Sequence, residues 1–265
     1  MPPGLRASLD ARRSRGEGSL IAYVTGGDPS LEALPGILNV IARAGADAIE
    51  VGIPFSDPIA DGPTIQASSS RALDRGVTPD AVLDAVAAAA CPVPVIVMSY
   101  INTAMRRGLG RFAERCREAG VSGVILTDLI PDEASAWLPI AAANELETVF
   151  LAAPTSTDDR IRMACEATTG FVYAVSRTGV TGAASEAPPE VADLVERIRR
   201  NTELPVMVGF GISKPEQVRM VCRVADGAVV GSALVDLLAK EWDHRGGHAQ
   251  IAEFVHGLKS GVALS

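Results

Sequence analysis

The chain has 265 residues, of which 48% are hydrophobic and only 4% aromatic, and its formal net charge is −8. This composition excludes a disordered or collagen-like chain and predicts a core of aliphatic side chains. The acidic balance also argues against nucleic acid and anionic membranes, which bind to basic surfaces. It does not exclude a small anion, because helix N-termini can hold a phosphate with backbone N–H groups alone.

Four cysteines, at positions 91, 116, 165 and 222, lie too far apart for the paired ligands of a zinc ribbon or finger. The opening Met-Pro-Pro-Gly-Leu-Arg is too polar for a secretory signal, and no apolar run reaches the roughly 18 residues of a membrane span. We therefore expect reduced thiols, no bound metal and a cytoplasmic location.

Short runs rich in Val, Ile, Leu and Ala alternate with amphipathic segments from one end of the chain to the other. The runs begin near Leu20, Asp47, Val93, Ser122, Glu147, Phe171, Pro205 and Gly227. Between them, helical periodicity marks residues 31–44, 110–119, 132–144, 190–201 and 215–224. Asp158 and Ser213 are predicted helix N-caps, and Gly45 and Gly120 are predicted to end helices.

Eight strand–helix units in about 250 residues are typical of a (β/α)8 TIM barrel, an α/β fold. The alternative, a doubly wound sheet, would place a Gly-x-Gly-x-x-Gly turn after the first strand, and Thr25-Gly26-Gly27-Asp28-Pro29 lacks that spacing. We therefore predict a single (β/α)8 barrel domain over residues 1–265, with extra helices. The first fifteen or so residues are expected to form a helix that plugs the bottom of the barrel.

The longest intervals between predicted strands follow the second and the sixth strand. In a barrel, extra length belongs to βα loops or added helices, and the βα loops build the active-site face. We name these segments loop 2 (residues 56–63) and loop 6 (residues 176–185). Loop 6 is rich in small residues, which suits a lid over a ligand, although an ordinary surface loop has the same composition.

Two carboxylates stand out near loop 2. Glu50 lies near the carboxyl end of the second strand, where barrel enzymes place catalytic groups, and burial there would raise its pKa toward neutrality. Asp61 could face Glu50 across the barrel mouth, and two carboxylates in different environments can divide acid and base work. The alternatives are a structural carboxylate at Glu50 and a turn residue at Asp61.

Glycines end the last two predicted strands, at Gly209-Phe210-Gly211 and at Gly231-Ser232. Barrels frequently bind phosphate at the loops after strands 7 and 8, where glycine lets the backbone approach the anion. A phosphate site is therefore predicted here, although each glycine alone could simply form a tight turn.

The segment that begins in the second strand and continues through loop 2 reads Glu50-Val51-Gly52-Ile53-Pro54-Phe55-Ser56-Asp57-Pro58-Ile59-Ala60-Asp61-Gly62-Pro63-Thr64-Ile65-Gln66. These seventeen residues closely resemble the signature of the tryptophan synthase alpha subunit family. The likeness continues in order through residues 23–29, 99–102, 176–182, 209–213 and 231–232 and so covers essentially the whole chain. The resemblance implies a lyase of L-tryptophan biosynthesis that splits indole-3-glycerol phosphate by a reverse-aldol cleavage into indole and glyceraldehyde 3-phosphate.

By this resemblance, Glu50 is the main acid/base and Asp61 hydrogen-bonds the indole N–H and stabilises the positive charge that develops on the ring. Thr181 on loop 6 is expected to meet Asp61 when the lid closes. The positions that match the phosphate-holding residues are Gly182, Gly211, Gly231 and Ser232. The positions that match the indole pocket are Tyr23, Ile65, Met98, Tyr100, Ile125, Tyr173, Phe210 and Val229, each of which could also be ordinary core.

The resemblance also implies a partner, a beta subunit that receives the indole in an alpha2beta2 heterotetramer. Pyridoxal phosphate is expected in that partner, and no cofactor is expected in this chain. Loop 2 and residues 128–132 are the expected contacts. The sequence departs from the family at Asn102-Thr103, where Asn-Pro is common, and at Thr127-Asp128-Leu129-Ile130, where Pro-Asp-Leu-Pro is common.

Two other functions are compatible with these residues. A stand-alone indole-releasing lyase would turn over fast without a beta subunit. A non-catalytic barrel would bind a phosphorylated ligand and regulate a partner, but such a protein has no need for both Glu50 and Asp61.

Overall fold

The structure is a computed structural model that describes residues 4–175, 187–209 and 211–262. These residues contain nine strands, all parallel to their neighbours in one sheet. The strands are β1 (Ser19–Thr25), β2 (Ala48–Gly52), β3 (Val95–Ser99), β4 (Gly123–Leu126), β5 (Glu147–Val149), β6 (Leu151–Ala152), β7 (Val172–Val175), β8 (Val206–Gly209) and β9 (Gly227–Val230). Their order in the sheet is β5-β4-β3-β2-β1-β9-β8-β7-β6.

The two ends of that order, β5 and β6, are consecutive segments of the chain separated by Phe150 alone. The fifth predicted strand is therefore split, with β5 pairing with β4 and β6 with β7, and the sheet closes into a barrel. At the split, the Phe150 N–H donates to the Thr168 hydroxyl (3.2 Å) rather than to a neighbouring strand. The predicted TIM barrel is confirmed, and the seventh and eighth predicted strands are β8 and β9.

Helices cover the outside of the barrel and fill one of its ends. They are α1 (Leu5–Arg13), α2 (Leu34–Arg43), α3 (Pro63–Asp74), α4 (Pro79–Ala89), α5 (Ile101–Arg107), α6 (Leu109–Glu118), α7 (Trp137–Ala143), α8 (Asp158–Ala167), α9 (Pro189–Arg199), α10 (Pro215–Cys222), α11 (Ser232–Glu241) and α12 (Gly247–Ser260), with a 3-10 helix at Pro131–Ala136 before α7. The extra length after β2 is explained by α3, an additional helix that precedes α4. None of the helices among the described residues is long and apolar enough to cross a bilayer.

The predicted helix ends are right for the glycines and one residue off for the N-caps. Gly45 and Gly120 follow α2 and α6 with φ of +111° and +75°, as expected for residues that end a helix. Thr157, not Asp158, caps α8 by accepting a hydrogen bond from the Arg160 N–H (3.3 Å). At α10 the N-cap is Lys214, whose N–H donates to a side chain of the first helical turn, so the predicted cap at Ser213 is one position early, whereas that at Asp158 is one position late.

The aliphatic core lies in two layers, one between the barrel and its helices and one inside the barrel. Alternate residues of each strand point inward, because side chains of a strand alternate between its faces. Leu5 and Leu9 of α1 join the inner layer at the end of the barrel where the strands begin. The predicted plug helix is thereby confirmed.

Candidate active site

A cavity of about 770 Å³ opens at the end of the barrel where the strands finish. Its volume lies within the range of about 300–1,000 Å³ that is usual for small-molecule sites. Ten residues singled out in the sequence line it: Tyr23, Glu50, Asp61, Ile65, Met98, Tyr173, Gly211, Val229, Gly231 and Ser232.

Glu50 is wholly buried in β2, and its register partner on β1 is Tyr23. Among the described residues neither of its carboxylate oxygens has a hydrogen-bond partner. Burial without a compensating cation or donor disfavours the charged form, and it raises the pKa of Glu50 to about 8. A carboxyl group in this state can both give and take a proton near neutral pH.

Glycines on two strands make room for the tyrosine rings that flank this carboxyl group. A Cβ at Gly52 would overlap the Tyr23 hydroxyl, and a Cβ at Gly209 would lie 2.6 Å from the Tyr173 hydroxyl. Because residues at i and i+2 of a strand share a face, Gly52 belongs to the same inner face as Glu50. Small inward residues on β2 and β8 therefore leave the space into which the two rings extend.

Asp61 approaches the cavity from loop 2, above the end of β2. Its carboxylate accepts a hydrogen bond from the Tyr100 hydroxyl (3.1 Å), and the Gln66 side chain donates to its backbone carbonyl (2.9 Å). Burial raises the pKa of Asp61, and the hydrogen bond from Tyr100 lowers it. The two carboxyl groups thus differ, since Asp61 has a donor and Glu50 has none among the described residues.

Another part of the cavity wall is formed by backbone at the ends of β8 and β9. Gly211 has a φ of +55°, and Gly231 is the N-cap of α11, whose first residue is Ser232. The first N–H groups of a helix lack acceptors within it and attract anions. None of the described residues that line the cavity is Lys, Arg or His. An anion bound at this side would therefore be held by the backbone and the Ser232 hydroxyl.

Several predicted residues lie elsewhere. Ile125 is fully buried in the inner core layer and does not line the cavity, and Tyr100 contacts the site through Asp61. Thr181 and Gly182 on loop 6, as well as Phe210, lie outside the described residues. Among the described residues, no group of three or more His, Cys, Asp or Glu side chains is placed to hold a metal ion.

Part of the cavity wall was absent from the sequence-based prediction. It includes Thr127 after β4, Leu151 and residues 153–155 at and after β6, Val175 at the end of β7, and Glu190 in the first turn of α9. All of these residues lie at or beyond strand ends on the same face, so the rule that barrel sites form at the ends of strands could have found them. Thr127, one of the departures from the family pattern, also donates from its hydroxyl to the Ser99 carbonyl (3.3 Å).

Comparison with known proteins finds a family whose members match nearly the whole chain. Residues 9–263 match the family model described as tryptophan synthase alpha chain. The chain is 45% identical to the tryptophan synthase alpha chain of Geobacter sulfurreducens over 92% of this chain and 93% of that one. It is 46% identical to that of Gloeobacter violaceus over 96% and 91% of the two chains. Among solved structures, a chain of Mycobacterium tuberculosis tryptophan synthase superposes with a TM-score of 0.90 at 37% identity over 100% of both chains. The alpha subunit of Legionella pneumophila superposes with a TM-score of 0.89 at 30% identity over 97% of both chains.

Proposed function

The chain belongs to the tryptophan synthase alpha chain family, whose reaction is the cleavage of indole-3-glycerol phosphate, and we propose that Glu50 and Asp61 carry that reaction here. The observation that carries the proposal is the Glu50 carboxyl group, buried at the cavity without a hydrogen-bond partner among the described residues. Structural carboxylates at such depth are normally paired, because an unpaired buried charge is costly.

Glu50 acts in both proton transfers of the cleavage. With a pKa of about 8, it is largely protonated at neutral pH and can donate its proton to C3 of the indole ring. The bond between C3 and the glycerol carbon then breaks, and its electron pair returns to the ring. The hydroxyl on that glycerol carbon becomes the aldehyde and gives its proton to the Glu50 carboxylate, which restores the starting state.

Asp61 stabilises the charge that the first transfer creates. Protonation at C3 makes the indole ring positive, and a carboxylate that accepts a hydrogen bond from the ring N–H stabilises that charge in a partly dry cavity. Asp61 has the properties for this role, because it is half-buried at the cavity and already accepts a hydrogen bond. Thr181 meets Asp61 when loop 6 closes.

The rest of the substrate extends from the indole pocket to the glycines at the ends of β8 and β9. Gly182, Gly211, Gly231 and Ser232 hold the phosphate, a placement supported by the start of α11 at Ser232 and by the lack of basic side chains among the described lining residues. The indole pocket consists of Tyr23, Ile65, Met98, Tyr100, Ile125, Tyr173, Phe210 and Val229. Ile125 does not line the cavity but packs in the inner core layer against Met98 and Tyr173, which do.

A beta subunit is the partner that membership of this family implies. We propose an alpha2beta2 heterotetramer in the cytoplasm, with pyridoxal phosphate in the partner and none in this chain, and with residues 1–265 forming one domain. Loop 2 and residues 128–132 are the docking surface, together with the neighbouring α5, supported by two large apolar side chains that are exposed on loop 2 and α5, Ile59 at 81% and Met105 at 60%. Exposed apolar groups at the site face are typical of a surface that a partner covers.

Indole release from indole-3-glycerol phosphate, measured with and without a tryptophan synthase beta subunit, tests this function. We expect release from the wild type, faster when the beta subunit is added. A rate that is already high and does not change with the beta subunit would favour the stand-alone lyase. If no indole is released under either condition, the result would favour the non-catalytic barrel that binds a phosphorylated ligand.

The assignment of Glu50 is tested by Glu50→Gln, which keeps the shape of the side chain and removes its proton chemistry. Loss of acid and base catalysis should lower kcat by about 10³-fold. Glu147→Gln is the matched control, because burial also raises the pKa of Glu147 but this residue lies at the opposite end of the barrel. Wild-type activity in Glu50→Gln, or an equal loss in Glu147→Gln, would refute the assignment.

A further inference from the structure

The hydroxyl of Tyr100 joins β3 to loop 2 at the edge of the cavity. Tyr100 directly follows β3 and is 4% exposed. Its ring stacks on Phe55, with ring centroids 4.8 Å apart and planes 19° apart. Its hydroxyl accepts a hydrogen bond from the Ala60 N–H (3.0 Å) and donates one to the Asp61 carboxylate (3.1 Å). One side chain therefore contacts the segment before loop 2, the backbone of the loop and the loop's carboxylate.

These contacts give the hydroxyl a fixed direction. The Ala60 N–H can only donate, so the oxygen of Tyr100 accepts there and its proton is free for Asp61. Burial, and then the nearby Asp61 charge, raise the pKa of Tyr100 to about 12, so the phenol stays protonated at neutral pH. It is a permanent donor at that position.

No other group among the described residues gives Asp61 a comparable interaction. Among the described residues, its carboxylate accepts a hydrogen bond from Tyr100 alone; the titratable groups that interact with it, Tyr23 and Tyr173, and Glu50 in the same cavity are not cations. With no cation beside it among the described residues, this carboxylate depends on its hydrogen bond both for its orientation and for its charge.

We propose that Tyr100 is a positioning residue for the cleavage, whose hydroxyl aims the Asp61 carboxylate at the cavity and keeps it ionised for the indole ring. This role rests on the proposed function of Asp61. It differs from a place in the indole pocket wall, since the hydroxyl of Tyr100 acts on the enzyme's own carboxylate.

The variant Tyr100→Phe tests the proposal, because it keeps the ring that stacks on Phe55 and removes only the hydroxyl. The Asp61 carboxyl carbon is followed by ¹³C NMR against pH in the wild type and the variant, with Asp61→Asn to assign its signal. Loss of a hydrogen bond that favours the charged form should raise the pKa of Asp61 by about one unit. The kcat of indole release should fall about tenfold, with a smaller change in KM. Circular dichroism verifies the fold of the variant.

Gln66→Leu is the matched control, because it removes the tether to the backbone carbonyl of Asp61 and leaves the bond to its carboxylate. We expect the Asp61 titration of this variant to match the wild type. An unchanged Asp61 titration in Tyr100→Phe, an unchanged kcat, or an equal shift in Gln66→Leu would each overturn the proposal. A wild type that releases no indole would instead refute the proposed function, and the NMR titration would still decide whether Tyr100 controls Asp61.

Discussion

Asp47 and Glu50 lie close together along the same stretch of chain, yet their carboxyl groups have opposite surroundings. Asp47 precedes β2 at the end of the barrel where the strands begin, and it accepts a hydrogen bond from the Leu20 N–H (2.8 Å). It also forms ion pairs with Arg12 (2.8 Å) and Lys259. Glu50, farther along the strand and equally deep, has neither a donor nor a cation among the described residues.

A second carboxylate that precedes a strand has the same kind of surroundings as Asp47. Asp226, before β9, accepts a hydrogen bond from the Val206 N–H (2.9 Å) and pairs with Arg13 and Arg199. It resembles Asp47 in both its position and its partners. Asp47 and Asp226, which precede their strands, are thus stabilised by cations and N–H groups, whereas Glu50, near the other end of its strand, lies where its charge is disfavoured. The difference is consistent with the division of the TIM barrel into a stability face and a catalytic face.

The largest expected effect on stability is at the paired end. Asp47→Asn removes the charge that compensates Lys259, whose side chain is only 16% exposed, and leaves a buried cation without its partner. Breaking a buried pair from one side costs about 3–5 kcal/mol. Urea unfolding should reveal this loss, while kcat of the folded protein stays unchanged. A variant as stable as the wild type, or one with altered kcat, would contradict the contrast between the two ends.

At the catalytic end, substitution of Glu50 is expected to change stability with the opposite sign. The pKa of Glu50 is about 8 in the folded chain and about 4.5 in an exposed one, so the folded state binds more protons between these values. Wild-type stability is therefore lost as pH rises from about 4.5 to about 8. Glu50→Gln carries no such charge, and its stability relative to the wild type should increase by about 3 kcal/mol between pH 4.5 and pH 7.

Urea unfolding of both proteins at several pH values measures that gain. The amide that Glu50→Gln introduces is itself buried, and its cost is the same at every pH, so the slope with pH is the informative quantity. A constant difference between the two proteins would mean that Glu50 is not held in the neutral form. Glu147→Gln serves again as the comparison, with a smaller slope, because Glu147 accepts a hydrogen bond from the Arg6 N–H that favours its charge.

The features that could be predicted from sequence are those with a local cause. The strand–helix repeat, the helix-ending glycines at 45 and 120 and the position of Glu50 near a strand end all depend on neighbours along the chain. Alternation within β2 is sufficient to predict that Glu50 shares an inner face with Ala48 and Gly52. Its lack of a partner is a property of the surrounding strands and cannot be read from β2.

The features that could not be predicted depend on side-chain contacts that the sequence pattern does not specify. Phe150 interrupts the fifth strand because the hydroxyl of Thr168 takes its N–H. Gln217 accepts from the N–H groups of Ser213 (2.8 Å) and Lys214 (3.0 Å), which moves the start of α10 by one residue. Tyr100 was predicted only as a pocket residue, because its hydrogen-bond partner, Asp61, lies on another loop. In each case, a side chain satisfies a backbone or carboxylate group that the local pattern leaves unassigned.

A smaller effect is expected on the phosphate side of the cavity. A Cβ at Gly231 would meet only Tyr23 atoms at ordinary contact distances of 3.6–3.8 Å, so a larger residue is compatible with the fold near its backbone. Gly231→Leu should crowd the anion and raise KM for indole-3-glycerol phosphate about tenfold, or about 1.4 kcal/mol, with less change in kcat. Gly110→Leu is the control, since no atom lies near its Cβ position. An unchanged KM in Gly231→Leu would contradict the placement of the phosphate at this position.

The smallest effect concerns Asp128, which lies at the catalytic end like Glu50 but has a donor like Asp47. Its carboxylate accepts a hydrogen bond from the Ile101 N–H (2.7 Å) at the first residue of α5, where no residue of the helix can accept it. Asp128→Ala should cost about 1 kcal/mol in urea unfolding, as the loss of a helix cap does. Asp128→Asn keeps an acceptor oxygen and should cost much less. If both variants lose stability equally, charge rather than the hydrogen bond holds α5. If neither variant loses stability, a hydrogen bond from a backbone N–H is not enough for a carboxylate to stabilise the fold. The contrast between Asp47 and Glu50 must then depend on which end of the barrel they occupy.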